Sequence, residues 1–281
     1  MQGTVIEHRS FCSSANAHAP ALRIDGTCRV LQFAAHTFDA SLVEILTPLM
    51  VGGCVCIPSE EERLNDLAGA INRMAINHAV LTPSFVGFLS PAAVPGLHRL
   101  VLAGEAMAHS HVATWSHIEL VNGYGPAESS VAAVVNSHVT PGTEPTDIGA
   151  PCGVRVWLVD PEDHGHLVPV GCVGEMLLEG PSLARGYLND AAKTADSFIS
   201  DPSWVEVGAG RRFYKTGDLA RYNSDSGSLT YVGRKDTQIK LHGQRIELGE
   251  IEHHLAPAWP GMRTRASMNL AMRLIANAEM K

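Results

Sequence analysis

A chain of 281 residues, 45% hydrophobic and 18% charged, has enough apolar side chain to bury a sizeable core, which excludes a disordered class. Its formal net charge of -8 offers nothing to attract a nucleic acid or an anionic membrane surface, so neither partner is expected. MQGTVIEHRS carries no apolar core of signal-peptide length, and no later run reaches the roughly 18 apolar residues of a spanning helix, so a soluble, cytoplasmic protein is expected.

From Cys28 to Asn122 short apolar runs alternate with amphipathic ones, the signature of a parallel sheet covered by helices. Strands are predicted at residues 29–34, 54–57, 79–81, 99–103 and 118–121, and helices at 41–50 and 64–76. Each strand runs into a polar or glycine-containing turn: HTFDAS, TPS, GEA and NGYGPAE in order. Ligands of such sheets sit beyond the carboxyl ends of the strands, so these separated segments should converge on one site. Beyond Thr140 the texture becomes β-rich and punctuated by Gly and Pro, with VRVWLVD, GEMLLEG, and then LARY and LTYVG forming a hairpin around NSDSGS. The expected fold class is α/β. A partial, mostly parallel, helix-covered sheet (1–139) is followed by a β-barrel-like unit (140–235), a hinge with the start of a small α+β domain (236–256), and an atypical tail (257–281).

Six cysteines lack zinc-site spacing and are expected to be buried thiols rather than disulfides. The histidine pairs 109/111, 164/166 and 253/254 form no metal-binding pattern such as HExxH and are expected at the surface or in loops.

Several residues carry chemistry in their own right. Tyr124, between Gly123 and Gly125 at a strand end, offers an aromatic face with close backbone approach on either side; a buried turn tyrosine is the plainer alternative. Glu128 is a hard oxygen ligand of the kind that Mg²⁺ bound to phosphates requires, or else a solvated helix-start or strand-end charge. In YKTGDL, Asp218 can accept two hydroxyl hydrogen bonds at once. The small-residue turn at Ala103, Gly104 and Glu105 lets backbone pack against a flat ring, as well as serving as an ordinary strand-to-helix turn. Asp39, in TFDAS, is placed either to cap the helix that follows or to pair with a buried cation.

NGYGPAE, GEMLLEGPSLARGYL, FYKTGDLARY and GRKDTQIKLHGQRIELGEIE, in that order, resemble the motifs of nonribosomal peptide synthetase adenylation domains, within the adenylate-forming, AMP-binding superfamily. The resemblance covers residues 3–256. It implies an ATP- and Mg²⁺-dependent ligase that converts a carboxylate to an acyl-adenylate and pyrophosphate, then passes the acyl group to a phosphopantetheinyl carrier domain. It implies nucleotide contacts from Ala103, Gly104, Glu105, Asn122, Gly123, Tyr124, Gly125 and Ala127, with Asp218 and Arg234 at the ribose, Glu128 at the metal, and Asp236 as the hinge of a mobile small domain. Asp39 matches the aspartate that holds a substrate α-ammonium, which favours an amino acid over the substrates of acyl- or aryl-CoA ligases. The matching side-chain pocket is Ala40, Val43, Val80, Val101, Ala103, Gly123, Val131 and Ala132. It is lined without charge, so a bulky apolar amino acid is the expected substrate.

The sequence departs from the family pattern at Ala127, where threonine is usual. The family's phosphate loop would lie ahead of GTVIEHRSFCSS and its terminal lysine well beyond Ala256, so neither is expected within these residues. This chain alone is accordingly expected to be an inactive, incomplete domain, with a non-catalytic fragment as the rival reading.

Overall fold

A computed structural model describes residues 3–206 and 208–236, together with the backbone of 238–241 and 244–247. The first half contains β1 (Thr4–Val5), α1 (His8–Ala21), β2 (Arg29–Leu31), α2 (Ala40–Met50), β3 (Cys54–Cys56), α3 (Glu60–Asn65), α4 (Leu67–Arg73), β4 (His78–Leu81), α5 (Pro83–Val86), β5 (Arg99–Ala103), α6 (His109–Trp115) and β6 (Glu119–Tyr124). The second contains β7 (Val134–Val139), β8 (Asp147–Pro151), β9 (Arg155–Val159), β10 (Gly174–Glu179), β11 (Gly186–Tyr187), α7 (Ala191–Ser197), β12 (Phe198–Ser200), β13 (Arg212–Tyr222), β14 (Leu229–Arg234), β15 (Gln238–Leu241) and β16 (Gln244–Glu247).

The strands β3-β2-β4-β5-β6 are parallel, and β6 then pairs antiparallel with β7. Hydrogen bonding continues through β8, β14, β13, β10 and β9, with β12 alongside β13, so both sequence textures share one 12-stranded sheet. Residues up to Lys235 form one compact unit and those from Asp236 a second, in which β15 and β16 pair antiparallel with Gln238 opposite Glu247.

Alternation along the parallel strands divides the core between two faces. Ala79, Leu81, Leu100, Leu102 and Leu120 face α4 and α6, packing on Leu67, Ile71, Val112 and Trp115. Val30, Val80, Val101 and Val121 face the other way, toward Val43 of α2, with Ala17 and Ala21 of α1 packed against them. A third cluster, centred on Met176, Leu178, Tyr214 and Ala220, fills the antiparallel half. Burying each such Leu, Val or Met contributes about 1.5–3 kcal/mol, which makes both faces necessary to the fold.

Three expected elements change their bounds. The strand expected at 29–34 ends at Leu31, because the N–H groups of Phe33 and Ala34 donate to the Glu44 carboxylate, each at 2.9 Å. The helix expected at 64–76 is broken at Asp66, whose φ of -148° is not helical and whose side chain caps α4 by accepting from Gly69 N–H. The strand expected at 118–121 runs on to Tyr124, because β7 supplies partners for Asn122, Gly123 and Tyr124. All six cysteines are free, but Cys12 and Cys172 are exposed and Cys54 is half-buried, so only Cys28, Cys56 and Cys152 are buried as expected. No helix among the described residues is long and apolar enough to cross a membrane. The tail (257–281) lies outside the described residues.

Candidate functional site

The carboxyl ends of the parallel strands do meet. Phe33, after β2, and Phe85, after β4, have ring centroids 4.3 Å apart. Glu105, after β5, accepts a hydrogen bond from the Ser84 N–H at 2.9 Å and another from the Ser84 hydroxyl. Ala103 lies in register with Gly123 on β6, and Gly104 turns the chain with φ 85°. Asn122, next to this turn, directs its amide donors to the carbonyls of Pro145 and Asp147, both at 3.1 Å, so those donors brace β8.

Below this edge the antiparallel half delivers a buried carboxylate. The hydroxyl of Tyr124 donates to Asp218 Oδ2 at 2.6 Å across 94 residues of sequence. Asp218 Oδ1 accepts from the Tyr231 hydroxyl and from Arg234 Nη1, both at 3.1 Å, and Arg234 also reaches the Thr216 carbonyl at 3.2 Å. The hairpin produces this pairing, because β13 and β14 set Asp218 directly opposite Arg234. Burial, reinforced by the neighbouring Asp218 charge, pushes the Tyr124 phenol well above its usual pKa and keeps it a donor. A carboxylate has about four acceptor sites, so a ribose hydroxyl bound here would join or displace a phenol already in place.

The loop after β6 holds Glu128, 5% exposed, whose Oε1 accepts the Tyr187 hydroxyl at 2.6 Å. Burial above all, and then Glu128, raises that phenol to about 12. No group of three or more His, Cys, Asp or Glu able to hold a metal ion gathers among the described residues. One carboxylate still matches the donor set of Mg²⁺, which commonly takes one or two protein carboxylates and completes its shell with phosphate oxygens and water. Ala127 begins a short 3-10 turn that ends at Ser129. Gly125 is required by the chain itself, because a Cβ there would stand 1.9 Å from the Val131 carbonyl oxygen. Ser130 and Val131 are both left-handed, with φ 60° and 82°, a strained choice for a β-branched residue.

Six of the eight expected pocket positions share one apolar cluster: Val43, Val80, Val101 and Ala132 are buried in it, with Ala103 and Val131 packed against them. Register explains the match, since Val80 lies opposite Val101 and Ala103 opposite Gly123. A Cβ on Gly123 would meet Ala103 Cβ and Val101 Cγ1 at 3.5 Å, which places Gly123 beside the same group. Ala40 opens α2. Asp39 sits at the N-cap position, but its φ and ψ of -64° and -29° are already helical and its side chain makes no capping hydrogen bond. Asp236 is exposed and opens the second unit.

Sequence reasoning missed Tyr231 and Tyr187, the phenols that hold Asp218 and Glu128, although both lie inside quoted motifs. It also missed Glu175, which accepts from Gly217 N–H at 3.0 Å and from Lys235 Nζ at 2.5 Å, joining the residue before Asp218 on β13 to the residue that follows β14.

The family model of AMP-binding enzymes matches residues 2–188. Over 259 residues the chain is 63% identical to Nonribosomal peptide synthetase 1 of Aspergillus fumigatus, covering 91% of this chain and 4% of that one. The fold is similar to that of NpsA-ThdA, an artificially fused adenylation-PCP di-domain from Klebsiella oxytoca, with TM-score 0.77, 25% identity, and coverage of 91% of this chain and 48% of that one. It is also similar to the Vibrio cholerae adenylation domain AlmE in complex with glycyl-adenosine-5'-phosphate, with TM-score 0.75, 25% identity, and coverage of 91% and 49%. The chain thus spans about half the length of these solved proteins and a small part of the synthetase. With strand-end loops, a braced Asp218 and this match in agreement, the chain belongs to the AMP-binding enzymes, on the branch of the nonribosomal peptide synthetase adenylation domains.

Proposed function

We propose that this chain forms part of a domain that activates an apolar amino acid with ATP and Mg²⁺, as an aminoacyl-adenylate, for a phosphopantetheinyl carrier domain in the cytoplasm. The observation that carries the reading is the 2.6 Å bond from Tyr124 to Asp218, which joins the end of β6 to the hairpin and gathers two distant motifs into one polar centre. In this reading Asp218 and Arg234 receive the ribose, and the edge formed by Ala103, Gly104, Glu105, Asn122, Gly123, Gly125 and Ala127 receives the base and phosphates. Glu128 would hold Mg²⁺, which would neutralise phosphate charge.

Asp39, which the helix does not use as a side-chain cap, takes the substrate ammonium. The apolar cluster around Val43, Val80, Val101 and Ala132 takes its side chain. A polar substrate side chain buried there without a partner would lose on the order of 1–3 kcal/mol. Asp236 serves as the pivot of the small domain. The fused carrier domain of NpsA-ThdA and the glycyl-adenylate bound to AlmE support the partner and the chemistry by likeness.

The test is amino-acid-dependent exchange of pyrophosphate into ATP, by a domain of the length of the solved relatives that carries residues 3–236. Exchange led by branched or aromatic amino acids is expected. Exchange led by Asp, Glu or Lys would overturn the pocket assignment, and exchange with none of the common amino acids would overturn the activity.

A further inference from the structure

The turn that carries Val131 and Ala132 is strained, with two consecutive non-glycine residues in the left-handed region, and such a conformation persists only where its surroundings impose it. Ser130, 1% exposed, is held on both sides: its hydroxyl donates to the Ser182 carbonyl at 2.6 Å, and its carbonyl accepts from Ser14 Oγ of α1 at 2.8 Å. Ser14 Oγ also lies 3.1 Å from His18 Nδ1, and His18 Nε2 lies 2.8 Å from Thr47 Oγ1 of α2. Proton counting fixes the direction of this chain. Ser14 has one hydroxyl proton and gives it to Ser130, so His18 donates from Nδ1 and Nε2 accepts from Thr47. Ser14, His18 and Thr47 are 1%, 0% and 0% exposed, so bulk solvent does not reach them.

The two ends of this relay carry the two separate walls of the apolar cluster. Thr47 lies one helical turn beyond Val43, on the helix that Asp39 opens, while Ser130 precedes Val131 and Ala132. We propose that Ser14 and His18 are positioning residues that lock the strained Ser130–Val131 turn to α2 and thereby set the shape of the amino-acid pocket. This inference rests on the substrate pocket assigned above. Burial lowers the His18 pKa to about 4, which keeps the imidazole neutral and the relay in one tautomer at neutral pH.

The test compares Ser14→Ala, Ser14→Thr and Thr47→Val with the unaltered full-length domain, by pyrophosphate exchange and by amide hydrogen exchange. Ser14→Ala should raise KM for the amino acid about tenfold and relax discrimination between substrates that differ by one methylene, with KM for ATP within about twofold. Ser14→Thr keeps the hydroxyl and should restore both. Thr47→Val, nearly isosteric, should act in the same direction, which covers the case in which Ser14→Ala does not fold. Amides of residues 130–133 should exchange faster in Ser14→Ala and Thr47→Val, while those of β10 stay unchanged. An unaltered domain that exchanges with no amino acid sinks the proposed function, yet the amide measurement still decides whether the relay holds the turn. Unchanged amino-acid KM with unchanged protection at 130–133, or equal losses for ATP and amino acid, would overturn the proposal.

Discussion

Asp218 is nearly buried and accepts from Tyr124, Tyr231 and Arg234, so its carboxylate satisfies three donors at once. The salt bridge to Arg234 is 95% and 89% withdrawn from solvent on its two sides, taking side-chain exposures of 5% and 11%. Removing the anion would leave a desolvated guanidinium beside two phenols that have lost their acceptor, and breaking such a pair commonly costs about 3–5 kcal/mol. Asp218→Ala is therefore expected to lower both folding stability and ATP affinity, the latter by about tenfold or more. Tyr231→Phe, which removes one donor and no charge, should cost about 1 kcal/mol and leave ATP affinity close to unchanged. Urea unfolding and nucleotide titration of the two variants separate these effects. Equal losses of ATP affinity would show that the Tyr231 phenol matters to nucleotide binding as much as the Asp218 carboxylate.

Among the elements, the loop between β6 and β7 shows most clearly how local geometry serves the site. It leaves the sheet after Tyr124, makes a short turn at Ala127–Ser129, passes through two left-handed residues and rejoins the sheet, with Ala133 N–H donating to the Tyr124 carbonyl at 2.9 Å. The return path runs so close to Gly125 that any side chain would overlap the Val131 carbonyl. Gly125→Ala should thus displace Val131 and Ala132 together, with a cost of about 1–3 kcal/mol in thermal unfolding and weaker binding of both the amino acid, whose pocket wall moves, and ATP, whose edge includes Gly125. A variant with unaltered Tm would show that the loop relaxes freely and does not define the pocket wall. α1 works by different means: its inward residues include Ser10, Ser14 and His18 beside Phe11, Ala15 and Ala19, so hydrogen bonds tie it to the molecule as much as apolar contact does.

Across the described residues, the buried groups His18, His78 and Glu44 bend the dependence of stability on pH. Burial lowers His18 and His78 from 6.5 to about 4, and raises Glu44 from 4.5 to about 7 despite the backbone N–H groups it accepts. A histidine lowered on folding contributes stability that is complete above 6.5 and lost as pH falls toward 4; a carboxyl raised on folding acts oppositely, losing stability as pH rises from 4.5 through about 7. Each is worth on the order of 3 kcal/mol, so the two histidines outweigh the one carboxyl and stability should climb between about pH 4.5 and 6.5. Glu44→Gln removes the opposing group and should steepen that climb in urea midpoints, whereas an unchanged profile would show that Glu44 ionises normally. The sequence alone determined which segments form the strands of the parallel half and that their turns converge, because alternation and glycine turns are local signals; Asp218, Arg234 and the apolar pocket positions were legible only through the resemblance of its motifs. Tertiary structure decided the rest. Glu44 ends β2 early through N–H groups 10 and 11 residues away, Asn122 to Tyr124 join a strand because β7 lies beside them, and the textures on either side of residue 140 share one sheet. α1 stayed hidden because its buried serines and histidine carry no apolar period, and the phenols of Tyr124 and Tyr187 acquire roles only when chain segments 94 and 59 residues apart bring carboxylates to them. A polar side chain's partner is fixed by long-range packing, which no local pattern encodes.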